Sequence, residues 1–107
     1  MQRERATLVT IVTERILEPH LIKVVEDAGA PGYTITEARS GKGTHGERSD
    51  PATNQDNLQM IVVASSAVAD AILTAIEQHY AKSYAIMAFT QAVEAIRWVP
   101  ALKEQPT

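Results

Sequence analysis

The sequence predicts an α+β fold of order βαββαβ, with two helices on one face of an antiparallel sheet. Three observations lead there: apolar, β-branched runs that suit strands, two segments with apolar residues at helical spacing, and a hydrophilic stretch from Arg39 to Asn57 between two strands. A chain of 107 residues is long enough for one core and too short for two. A single domain spanning 1–107 is therefore expected.

From Ala6 to Thr13 the run ATLVTIVT is rich in β-branched side chains and reads as the first strand. Leu21, Val24, Val25 and Ala28 then recur at helical spacing, with Pro19 tolerated in the first turn and Gly29 as the stop, so a helix covers about 18–28. After Gly32, YTITEA alternates as a second strand. Beyond the hydrophilic stretch, LQMIVVAS reads as a third, with Leu58, Met60 and Val62 on one face and Ile61 and Val63 on the other. Ser65 or Ser66 is placed to cap the next helix, which presents Val68, Ile72, Ala75, Ile76 and His79 along one side and ends near Lys82. YAIMAFT is a fourth strand, and AVEAIRWV adds a short strand or a final turn. Right-handed crossovers leave few other ways to assemble these pieces than the ferredoxin-like one.

Composition narrows the function. A hydrophobic fraction of 45% with 21% charged residues is that of a folded globular protein. The net charge is −3 and the ten Lys and Arg are scattered, so a partner held by broad electrostatic attraction, nucleic acid above all, is not expected. The absence of cysteine excludes disulfides, thiolate metal sites and thiol catalysis. The apolar run after Met1-Gln2-Arg3-Glu4-Arg5 is short and carries two threonines, which predicts neither signal peptide nor membrane insertion and fits a cytoplasmic protein.

Both alternating faces of the first and third strands are largely apolar, yet two helices cover only one face of a sheet. The other face calls for a partner, and a homo-oligomer is the simplest; a monomer with a modest exposed patch is the alternative.

The stretch RSGKGTHGERSDPATNQDN is long for a loop in a compact domain, which makes it a candidate for binding. Its opening, Gly41-Lys42-Gly43-Thr44, is not a Walker P-loop, because Gly43 stands where that pattern demands Ser or Thr. What remains is a glycine-flanked lysine whose neighbouring amides suit an anion. Arg39 and Arg48 could add bidentate phosphate contacts, whereas Glu37, Glu47, Asp50 and Asp56 fit a solvated loop of mixed charge equally well. His20, His45 and His79 show no metal-ligand spacing and read as surface or packing residues, with His45 the one placed to respond to pH beside an anion. Glu14 and Arg97 could face a cleft at an oligomer boundary, or form ordinary surface contacts. No nucleophile–base arrangement or paired carboxylates can be read, so the protein is not expected to be an enzyme.

These residues resemble the PII signalling family, and more closely its PII-like branch linked to inorganic carbon. The resemblance runs from Leu8 to Arg97. It is carried by Ile11-Val12-Thr13-Glu14-Arg15-Ile16-Leu17, by Gly29-Ala30 with Gly32-Tyr33-Thr34, by Gly41-Lys42-Gly43 followed by Arg48-Ser49, and by Tyr80, Tyr84-Ala85 and Glu94. It implies a homotrimer of ferredoxin-like subunits with adenine nucleotides in the clefts between subunits, loop 39–57 as the T-loop and a flexible tail, 100–107. It further implies that Gly41, Lys42, Gly43, Thr44 and Arg48 hold phosphates, that Val63, Ala64, Tyr84 and Ala85 line the adenine, and that Arg97 stands where main-line members use an arginine on a phosphate.

The chain departs from the main line in three places. AKSYA replaces the glycine-rich B-loop with its lysine, Val99 replaces a second arginine, and the loop has no tyrosine. Selective ATP binding, 2-oxoglutarate sensing and uridylylation therefore do not carry over. Without cysteine, the C-terminal loop of the cyanobacterial bicarbonate-transporter regulators is missing as well. The resemblance that remains is to a carboxysome-associated PII-like regulator that binds ADP or AMP, with ATP and cyclic AMP as further ligands, and responds to bicarbonate. Its expected partners are a bicarbonate transporter or a carboxysome component. The rival expectations are a metal-responsive trimer of the CutA type, which shares the fold, and a small ferredoxin-like enzyme.

Overall fold

The first strand, β1 (Arg3–Glu14), is the centre of the molecule, hydrogen-bonded along both edges. A 3-10 turn, Arg15–Leu17, leads from it into helix α1 (Glu18–Asp27). β2 (Thr34–Ala38) follows, then two short segments, β3 (Lys42–Gly43) and β4 (Gly46–Glu47), then β5 (Asn57–Ala64), α2 (Ser66–His79) and β6 (Ile86–Ile96). This is a computed structural model that describes residues 3–38, 42–43, 46–47 and 57–96. The four long strands form one antiparallel sheet in the order β2-β5-β1-β6, the βαββαβ ferredoxin-like arrangement expected from the sequence.

Register decides which side chains share a face. Val9 lies opposite Val62 and Thr90, Ile11 opposite Met60 and Ala88, and Thr13 opposite Leu58 and Ile86. Because side chains alternate across a strand, this set points to one side, and both helices pack there. Val9, Ile11, Leu58, Met60 and Val62 are buried with Leu17, Leu21 and Val25 from the first crossover and Ala69, Ile72 and Ile76 from the second. Each large aliphatic side chain so buried is worth about 1.5–3 kcal/mol of transfer free energy.

The helix ends follow from local chemistry. Pro19 stands in the first turn of α1, where its missing N–H costs no hydrogen bond. At the other end Ala30 N–H donates to Val25 O and Gly29 N–H to Glu26 O, with Gly29 at φ +88°, a Schellman stop that only glycine adopts without strain. In α2 the Ser65 hydroxyl accepts from Val68 N–H at 3.2 Å, the capping expected there.

Three expectations are corrected. The last strand is longer than YAIMAFT: it pairs with β1 without a break from Ile86 to Ile96, so AVEAI belongs to the same strand and not to a separate strand or turn. The α2 stripe is rotated, with Ala69 buried and His79 exposed, and the helix ends at His79 with a hydrogen-bonded turn through Lys82 to Tyr84. The stretch expected to be an irregular loop holds an antiparallel pairing of Lys42 with Glu47 and Gly43 with Gly46. The rest of the loop and the tail 100–107 lie outside the described residues.

Truncating the core should cost far more than truncating the surface. Ile72→Ala, at a fully buried position, is expected to lower unfolding free energy by about 3 kcal/mol. Lys23→Ala, which removes the exposed Lys23–Asp27 pair at 3.2 Å, is expected to change it by less than about 0.5 kcal/mol; urea unfolding at one protein concentration checks both.

Candidate functional site

The register lines up one residue from each strand at the end of the sheet where the loop departs. Ala38 pairs with Asn57, and Asn57 pairs with Glu14. Thr13 is opposite Ile86, which sets Ala85, the residue before β6, beside Glu14. The loop leaves from Ala38 and returns at Asn57, so both of its roots stand in this row, three strands and two strands from β6 and the turn that precedes it.

At Ala85 side chains take over where the β1–β6 ladder stops. The Thr13 hydroxyl donates to Ala85 O at 2.9 Å, and Ala85 N–H donates to Glu14 Oε2 at 3.2 Å. Both polar groups of one peptide position are thus held by consecutive residues of β1. Thr13 is buried, and this bond satisfies its hydroxyl; Glu14 carries a carboxylate, which makes the second bond a charge-assisted one. Next to them Arg15 Nη1 lies 3.8 Å from Glu37 Oε1, an exposed pair that links the 3-10 turn to β2 and contributes little to stability.

The turn itself is organised around Tyr80. Ser83 and Tyr84 N–H groups both donate to Tyr80 O at 3.1 Å. The Tyr80 ring is in contact with His20 from α1 (centroids 6.0 Å apart), His79 (6.3 Å) and Tyr84 (6.3 Å), in tilted or edge-on arrangements that suit aromatic pairs. Tyr84 remains partly exposed. The histidines His20 and His79 are thus packing residues at the surface, and among the described residues no group of His, Asp and Glu is arranged to hold a metal.

The fold divides the predicted site residues into two groups. Tyr84 and Ala85 stand at the loop's end of the sheet. Val63 and Ala64 are at the other end of β5, opposite Leu8 and Thr7 of β1. Val63 is about 20 Å along the strand from Asn57. Within one chain the fold does not bring these two groups together. Lys42 and Gly43 form the short pairing with Glu47 and Gly46. Gly41, Thr44, Arg48 and Arg97, with His45, lie outside the described residues.

Sequence reasoning left Glu14 between a cleft position and an ordinary surface contact and did not find its contact with Ala85. The signal available was the adjacency of a hydroxyl and a carboxylate at the end of a central strand. Their common target becomes visible only once β6 is set in register.

The outer face of the sheet carries exposed apolar side chains. Met87 and Phe89 of β6 are 57% and 42% exposed and Val63 of β5 is 40% exposed. Leu8, Val12 and Ile61 share that face, half-buried, around Thr10.

The comparisons with known proteins agree with this fold. The profile of the family described as Nitrogen regulatory protein P-II matches residues 6–99. The chain therefore belongs to the P-II family, and its class is that of the PII-like signalling proteins. A PII-like signaling protein from Thermus thermophilus is 35% identical, with 90% of this chain and 94% of that one covered and a TM-score of 0.78. CPII from Thiomonas intermedia K12, in a structure bound to ADP and bicarbonate, is 19% identical over 90% and 93% of the two chains, with a TM-score of 0.77. The ATP complex of GlnK from B. subtilis is more distant, at 15% identity, 83% of each chain and a TM-score of 0.59. The last two likenesses are of fold. The CutA-type alternative receives no support from these matches. Among the described residues no helix is long and apolar enough to cross a membrane.

Removing the buried hydroxyl at Ala85 should be felt in stability. Thr13→Val leaves the Ala85 carbonyl without its donor and is expected to cost about 1–2 kcal/mol, while Thr13→Ser, which keeps the hydroxyl, recovers most of it; thermal and urea unfolding of the two variants check this.

Proposed function

We propose that the protein is a non-catalytic regulator of the inorganic-carbon branch of PII-like proteins: a cytoplasmic homotrimer, each copy one domain, that binds ADP or AMP between subunits and responds to bicarbonate. The observation that carries the reading is the row Ala38, Asn57, Glu14 and Ala85, which puts both roots of the loop and the α2–β6 turn at one end of the sheet. Chain geometry limits Gly41 to about 11 Å from Ala38, so the Gly41-Lys42-Gly43-Thr44 segment is tethered within reach of that turn.

In this reading Lys42, Arg48 and the glycine amides meet the phosphates, with Arg97 as a further cation. Tyr84 and Ala85 line one side of the adenine. Val63 and Ala64, about 20 Å along β5 from the loop's root, line the same nucleotide only when a neighbouring copy supplies them, which favours a site between subunits. The bare apolar face bearing Met87, Phe89 and Val63 supports association, since a soluble monomer seldom leaves such a patch uncovered. Two neighbours add to the support: the CPII structures from Thiomonas intermedia K12 carry ADP with bicarbonate, and ADP and AMP with bicarbonate.

The mechanism is a population shift. A ligand that makes better contacts with one arrangement of loop 39–57 than with another favours the first, and a partner that reads the loop binds or leaves accordingly. A bicarbonate transporter or a carboxysome component is the partner this branch implies. Bicarbonate, a small anion, shares the positive base of the loop. ATP and cyclic AMP are weaker candidates than ADP and AMP, and neither metal nor nucleic acid takes part.

Calorimetry with AMP, ADP, ATP and cyclic AMP, each with and without bicarbonate, tests the reading. Binding of ADP or AMP that bicarbonate strengthens or weakens is expected, and no binding of any of the four would remove the proposal. Lys42→Ala should weaken ADP at least about tenfold, the loss of one charge-assisted contact. In sedimentation the protein should run at three times the chain mass, and Phe89→Glu on the outer face should shift it toward the monomer.

A further inference from the structure

The clamp on Ala85 does more than end a strand. Glu14 is a member of two contacts at once: its backbone sits in the β1–β5 ladder opposite Asn57, the returning root of the loop, and its carboxylate holds the Ala85 amide. Asn57 in turn pairs with Ala38, the departing root. Thr13 closes the other half of the Ala85 peptide and pairs with Leu58, one residue inside the root. A path of four neighbouring residues therefore runs from β2 through β5 and β1 to the turn before β6, at the loop's end of the sheet. Every link in it is a backbone pairing except the last, which is made by the Glu14 side chain.

We infer that Glu14, supported by Thr13, is a positioning residue that couples the roots of the loop to the α2–β6 turn. Strand ends fray unless something holds them, because the last ladder pairs have neighbours on one side only. With the carboxylate on Ala85 N–H, the end of β1 is fastened to the turn, and the root pairs Glu14–Asn57 and Asn57–Ala38 are fastened through it. A ligand that displaces the turn then displaces the root, and a partner that pulls on the loop is felt at the turn. The coupling is local: Val9 to Ile11, inside the sheet and paired on both sides, do not depend on it. Its bearing on ligand binding rests on the nucleotide-responsive reading above, whereas the coupling itself does not.

Hydrogen exchange of the ligand-free protein separates the two. In Glu14→Ala the Ala85 amide and the root amides at Asn57 and Leu58, on a strand with neighbours on both sides, should all exchange about tenfold or more faster, with Val9 to Ile11 unchanged. Glu14→Gln, whose side-chain carbonyl still accepts from Ala85 N–H, should restore protection at both places. Faster exchange at Ala85 alone, at neither place, or throughout the sheet would overturn the coupling. So would a Gln variant that behaves as the Ala variant does. A second arm measures ADP by calorimetry: Glu14→Ala should weaken it about tenfold, with Glu14→Gln within about twofold of the unaltered protein. Equal ADP affinity in the Ala variant would overturn the link to binding. If the unaltered protein binds no nucleotide, the functional reading fails while the exchange rates still decide the coupling.

Discussion

The structure depends on the two-sided register of β1. One strand pairs with β5 over Thr7–Glu14 and with β6 over Arg3–Thr13, so a shift of a single residue would turn Val9, Ile11 and Thr13 away from the helices and expose the core. Leu17, Leu21 and Val25 from the first crossover and Ala69, Ile72 and Ile76 from the second pack on the buried set, and a slip would bring Thr10 of the other face against them. The same register sets the row at the loop's end. Stability and site geometry therefore have one cause, and the position of Ala85 relative to the loop's roots is as well determined as the core.

A four-stranded sheet with two helices leaves one face open, and here that face is not polar. Leu8, Val12, Ile61, Val63, Met87 and Phe89 alternate with the buried set on the same strands. Val63, Met87 and Phe89 stay exposed in an isolated subunit and gain little from its folding. Their presence on both central and edge strands makes sense as surface to be covered by another copy, as proposed above. In the proposed reading, a nucleotide site divided between Tyr84–Ala85 of one copy and Val63–Ala64 of the next needs no special loop to bridge the length of a strand.

Much of the fold was legible because its causes are local. Alternation in LQMIVVA, the spacing of Leu21 and Val25, Gly29 as a stop and Ser65 as a cap are each consequences of a few neighbouring residues. What was not legible has non-local causes. The outer half of β6 carries Thr90, Gln91 and Glu94 and runs past the helices, so neither face shows a clear pattern; only pairing with Arg3–Thr7 makes it a strand. Ala69 is buried because a small side chain allows close approach of helix to sheet, a fact about the partner surface that helical spacing does not encode. For the candidate site, sequence resemblance named Tyr84 and Ala85, but the contact of Ala85 with Glu14 spans most of the chain and is invisible to any short motif.

The chemistry of Glu14 suits it for the coupling role better than a ladder bond would. A backbone pair at the end of a sheet either forms or frays, and its strength is the same in most proteins. A carboxylate on a side chain reaches past the end of its own strand and accepts more strongly than a peptide carbonyl. That combination fastens the turn to the end of β1, and with it the root pairs that the end of β1 carries. Thr13, buried and bonded to the same residue, supplies the fixed half of the clamp, so that release at the amide leaves the carbonyl still held. One half positions the turn and the other half allows it to respond.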